Sequence, residues 1–87
     1  MSKQYLTKLH NELTSKNIQH EYIQKSYLTC INIPVKSSQP VIIQEHYDYE
    51  LECPILVTQT QTKVSQACID TEDDFNSYVD SLVFIFG

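Results

Sequence analysis

Leu6, Leu9 and Leu13 recur at helical spacing near the start of the chain, with Tyr5 and His10 beside the stripe. Ser2 stands where an N-cap belongs, so the pattern predicts a first helix over about residues 3–16. Thr14, Ser15 and Asn17 compete for backbone hydrogen bonds and weaken its end, and Ile18 anchors the chain as it leaves. The hydrophobic period then falls to two. Residues 19–24 (QHEYIQ) and 27–33 (YLTCINI) are rich in Tyr, Ile and Thr and read as strands, with a tight connection at residues 25–26. Two prolines, Pro34 and Pro40, bracket a break, after which VIIQE opens a third strand.

Residues 45–53, EHYDYELEC, continue the alternation and extend that strand. Tyr47, Tyr49, Leu51 and Cys53 share the parity assigned to the core, while His46, Asp48, Glu50 and Glu52 share the polar one. Pro54 ends the strand or holds it at a sheet edge. Residues 55–57 read as a short central strand. Beyond them Thr58, Thr60 and Thr62 alternate with Gln59, Gln61 and Lys63, which predicts a polar edge strand of weakly specified register. At the C-terminal end Thr71 and Asp74 have capping-box spacing, and Asp70, Glu72 and Asp73 add negative charge where a helix dipole favours it. Phe75, Tyr78, Val79, Leu82, Val83 and Phe86 follow on one helical face. The predicted fold is a single α+β domain over residues 1–87, in the order α-β-β-β-β-β-α. It has an N-terminal helix, a four- to five-stranded mostly antiparallel sheet, and a C-terminal amphipathic helix packed on that sheet.

Six Tyr, three Phe and 41% hydrophobic residues are enough for a packed core, so disorder is excluded. No apolar run approaches the roughly 20 residues that cross a bilayer, and MSKQYLTKLH lacks a signal-peptide core. A cytoplasmic protein with no membrane role is expected. Cys30, Cys53 and Cys68 are odd in number and contain no C-x-x-C pair, which predicts buried free thiols rather than a disulfide framework or a zinc knuckle.

Charge changes the picture more. Residues 1–40 hold five Lys against Glu12 and Glu21, whereas residues 41–87 hold only Lys63 against nine acids. Arginine, the usual bidentate reader of phosphate and guanine, is absent. Direct nucleic-acid binding is therefore disfavoured, and a protein partner with a basic surface fits better. The only Gly is Gly87, so no glycine loop cradles a phosphate. His10, His20 and His46 lie near acids, but no nucleophile motif surrounds them, so neither an enzyme nor a cofactor is expected. A metal site on His46, Asp48 and Glu50, completed by His20 or Glu21, would need ligands set about 6.5–7 Å apart along a strand to converge, and none is expected.

An acidic binding face remains. Its contact residues are expected to be Glu45, Asp48, Tyr49, Glu50, Glu52, Asp73 and Asp74, with Tyr49 included although its parity points inward. In scale and charge the chain resembles small phage- or mobile-element-encoded inhibitors, among them anti-CRISPR proteins, inhibitors of uracil-DNA glycosylase and other acidic DNA mimics. That resemblance implies an inhibitor working by protein-protein interaction and transfers no residue roles. The alternatives are an assembly subunit or homodimer pairing through the polar 58–63 edge strand, and a small metal-binding protein.

Overall fold

The leucine stripe forms the first helix. In the computed structural model, which describes residues 4–86, α1 spans Gln4–Ser15 and fully buries Leu6, Leu9 and Leu13. The expected Ser2 cap lies outside the described residues. At the other end the Ile18 N–H donates to Leu13 O (3.0 Å) and the Asn17 N–H to Thr14 O (3.2 Å), with Asn17 at φ 58°. This is a Schellman closure, in which Asn17 takes the left-handed position and Ile18 joins the core cluster that holds Leu13.

Five strands follow: β1 (Glu21–Lys25), β2 (Leu28–Ile33), β3 (Val41–Asp48), β4 (Cys53–Gln59) and β5 (Val64–Cys68). They form one antiparallel sheet in sequence order, and α2 (Glu72–Phe86) closes the fold. The expected α+β layout is present, but the strands are cut differently in two places.

The first correction concerns residues 45–53. Strand β3 stops at Asp48, and residues 49–52 are a turn that pairs Asp48 with Cys53. Asp48 Oδ1 accepts the N–H groups of Glu50 (2.9 Å) and Leu51 (3.1 Å), and Glu52 sits at φ 54°. An Asx turn thus does what a glycine would otherwise do. The turn also flips the parity: Tyr47 faces the helices, whereas Cys53, six residues on, faces away from them. The second correction concerns residues 58–63. Thr60 N–H donates to Lys63 O at 2.9 Å, and Lys63 N–H donates back to Thr60 Oγ1 at 3.2 Å. Thr58 and Gln59 complete β4 inside the sheet and residues 60–63 form the hairpin bend to β5, so the polar run is not an edge strand.

The register fixes the layers. Tyr22, Ile31, Ile43, Thr58 and Ser65 lie across from one another on one face, as do Glu45, Leu56 and Ala67. Both helices cover this face, so Ile31, Ile33, Val41, Ile43 and Leu56 meet the leucines of α1 and Phe75, Val79 and Leu82 of α2. Each such side chain, fully buried, contributes about 1.5–3 kcal/mol. The predicted apolar face of α2 is the one that packs, with Tyr78, Val83 and Phe86 at its margins. Lys8 ties the two helices by an ion pair with Glu72, which holds its ammonium above the usual range, and lies 5.1 Å from the Phe75 ring centre.

Tyr78 hydrogen-bonds Thr58 Oγ1 at 2.5 Å across the helix–sheet seam. Burial pushes its phenol up to about 12, against the hydrogen bond to Thr58, which lowers it. An unfolded tyrosine ionises near 10, so the fold favours the neutral phenol. That stabilisation is complete below about pH 10 and is lost as pH rises to about 12, on the order of 2 kcal/mol in all. Urea midpoints should therefore fall between about pH 9 and about pH 12. Tyr78→Phe should shrink the fall; an equal fall in that variant would assign it to other groups.

Candidate interaction site

Disulfide Cys53–Cys68 joins the start of β4 to the end of β5, with a Cα–Cα distance of 6.4 Å. This corrects the expectation of three free thiols: only Cys30 is free, buried, with its thiol pushed up by desolvation and by Glu21. The Cys53–Cys68 pair was not legible from the spacing, because the turn at residues 49–52 is what swings Cys53 onto the face of Cys68. One residue further on, the Ile69 N–H donates to Pro54 O at 2.9 Å. Together these contacts bring the β3–β4 turn and the β5–α2 junction to the same end of the sheet, so the two acidic segments are neighbours.

Their carboxylates do different jobs. Asp48 is spent on its own turn. Asp74 Oδ2 accepts the N–H groups of Asp70 (3.0 Å) and Thr71 (3.1 Å), while Thr71 Oγ1 accepts the Asp74 N–H (3.2 Å). This reciprocal cap is the capping box anticipated from the spacing, with Asp in place of Glu. Among the described residues, the carboxylates of Glu50, Glu52, Asp70 and Asp73 make no hydrogen bond or ion pair and face solvent. Tyr49 and Leu51 alternate with Glu50 and Glu52 along the turn, 77% and 64% exposed. Tyr49, assigned inward by parity, is outside, its ring 4.9 Å from that of Tyr47. Asp70 belongs to the acidic cluster at residues 70–74 but is not among the contacts expected from sequence; its place beside the disulfide makes it part of this surface.

Glu45 is a further correction. It is 6% exposed, on the helix-covered face, and its Oε1 accepts the N–H groups of Tyr5 and Leu6, each at 3.0 Å. It caps α1 from inside the molecule and is not part of any outer surface.

No protein-family profile, curated protein or solved structure matches the chain. The chemistry of its residues must carry the reading.

His46 is exposed on the uncovered face, Nε2 against Gln44 Oε1 at 3.2 Å, while Glu50 lies in the turn, so His46, Asp48 and Glu50 do not share a strand face. Cys53, Cys68 and Asp70 place a ligand atom each within 4.8 Å of one another, but the two sulfurs are bonded to each other and offer no thiolate. His10 and His20 meet, Nδ1 to Nε2, at 2.8 Å. His20 Nδ1–H donates to Ile18 O at 2.7 Å, so its Nε2 accepts from His10 Nδ1–H, and the pair fastens α1 to the segment that follows it. Among the described residues no helix is long and apolar enough to cross a membrane.

Proposed function

We propose that the chain is a small protein-binding module, without catalysis, whose acidic sheet end occupies a basic, nucleic-acid-binding surface of a partner protein. One observation supports this reading above the others: the disulfide and the Ile69–Pro54 hydrogen bond hold two acidic segments side by side. Unpaired carboxylates interleaved with an exposed tyrosine and leucine combine electrostatic steering with an apolar anchor. The arrangement is the one an inhibitor of the phage or mobile-element type would use, acting as a DNA mimic. The contacts assigned to it are Tyr49, Glu50, Leu51, Glu52, Asp70 and Asp73, with Asp48 and Asp74 shaping the two segments.

The test pairs wild type with Glu50→Lys/Asp73→Lys as bait. A captured nucleic-acid-binding protein is then assayed for binding to its own DNA or RNA with each bait added. Wild type should block that binding and the reversal should weaken capture by about 10- to 100-fold, with steep loss for wild type as salt rises. A partner held equally by both baits would end the acidic-end reading.

A further inference from the structure

Strands β1 and β5 are the two edges of the sheet, and they are built differently. β1 (EYIQK) begins with Glu21 and ends with Lys25, and charges at an edge discourage the addition of another strand. β5 (VSQAC) carries neither charge nor proline, and its pairing with β4 runs without a bulge from Val64 to Cys68. The ladder decides which backbone groups this edge presents. Thr60 N–H bonds Lys63 O and Ile69 N–H bonds Pro54 O, so residues 63, 65, 67 and 69 are the ones turned toward β4. Val64, Gln66 and Cys68 therefore direct their N–H and C=O groups outward, away from the sheet.

A second copy of the same strand fits this pattern. If Gln66 opposes Gln66 across a two-fold axis, Val64 of each copy opposes Cys68 of the other, and all three outward residues fall in hydrogen-bonded pairs. The charges agree with that register. Lys63 is the only cation in residues 41–87, and the pairing sets it opposite Ile69 of the second copy, next to Asp70 and just before Glu72 and Asp73. The two-fold axis makes the same contact twice. The uncovered sheet face is also continuous to this edge, since Val57 and Ile55 lie beside Gln66 and Cys68 in the register. We propose that the chain forms a two-fold dimer through β5, merging two five-stranded sheets into one.

Mass in solution tests it, by sedimentation equilibrium over a concentration series. Wild type should sediment at twice the 10.1 kDa of the single chain. Gln66→Pro deletes an N–H that β4 does not use and should sediment as a monomer with unchanged far-UV circular dichroism. Val64→Lys, which charges the edge without touching the backbone, should do the same and serves if the proline variant does not fold. Lys63→Glu should move the dimer midpoint to at least about tenfold higher concentration. A wild type that stays at 10.1 kDa throughout, or a folded Val64→Lys that keeps the doubled mass, overturns the proposal. Glu50→Lys should leave the mass doubled, so the dimer and the acidic-end reading fail independently.

Discussion

Replacing Glu45 by alanine is expected to lower the unfolding free energy by about 3 kcal/mol. The helix it caps has no acid in its own first turn. Two of the four amides that every helix leaves unpaired at its N-terminus, those of Tyr5 and Leu6, are instead satisfied by a carboxylate from β3, forty residues away. A negative charge there also meets the positive end of the helix dipole. Removing it leaves buried donors without an acceptor, which costs about 1–3 kcal/mol for each, and the neighbouring leucines leave little room for water. Glu45→Gln retains an oxygen and loses the charge, so it should cost about half as much. Urea denaturation of the three proteins measures both differences; an alanine variant within about 0.5 kcal/mol of wild type would show that the cap contributes nothing. The same substitutions separate structure from recognition. Glu45 lies within the fold, so Glu45→Gln should bind any partner of the acidic end as wild type does, at temperatures where both are folded.

Glu45 also shows where the sequence could be read and where it could not. The two helices announced themselves by a 3.6-residue period, and the leucines of α1 and the aromatic–aliphatic face of α2 are buried as that period requires. The strands announced their existence but not their ends. The run from His46 to Cys53 alternates without a glycine, an asparagine or a proline, so nothing in its composition breaks it. Its bend is made by the Asp48 side chain and by Glu52 in a left-handed conformation. Both are local hydrogen-bonding choices that compete with strand geometry, and only Asp48 was a visible signal. Likewise Thr60 bends a Thr/Gln repeat that has good β composition throughout. Glu45 turns inward on the same parity as Val41, Ile43 and Tyr47, the side already assigned to the core, whereas the other differences follow from those bends: Tyr49 turns outward, and Cys53 arrives beside Cys68. Parity carries over long distances only while a strand stays a strand. The acidic clusters were legible as composition, but their adjacency depended on a turn that composition concealed.

Reducing Cys53–Cys68 is expected to lower the unfolding free energy by about 3 kcal/mol, the loop-closure value for cysteines 15 residues apart. For an 87-residue chain, total stability is roughly 4–13 kcal/mol, so this one bond supplies a large share. The loss should not be spread evenly. β5 is an edge strand held in the sheet by β4 alone, and the bond lies at the end where β5 leads into the junction with α2. Without it, β5 and residues 69–71 should exchange their amide hydrogens faster, while β2 and β3 in the middle of the sheet stay protected. Urea midpoints with and without dithiothreitol measure the total, and hydrogen exchange locates it. Cys53→Ser/Cys68→Ser should match reduced wild type and ignore the reductant; a wild type equally indifferent to it would mean that the bond is not formed in solution. The consequence for recognition is specific. The bond ties the segment that leads into Asp70 and α2 to the end of the turn that carries Glu50 and Glu52, so the reduced protein must order that surface again on binding and should bind a basic partner more weakly. A disulfide persists in an oxidising compartment and is opened in a reducing cytosol, so the redox state of the compartment sets both the stability of this domain and how well formed its acidic end is.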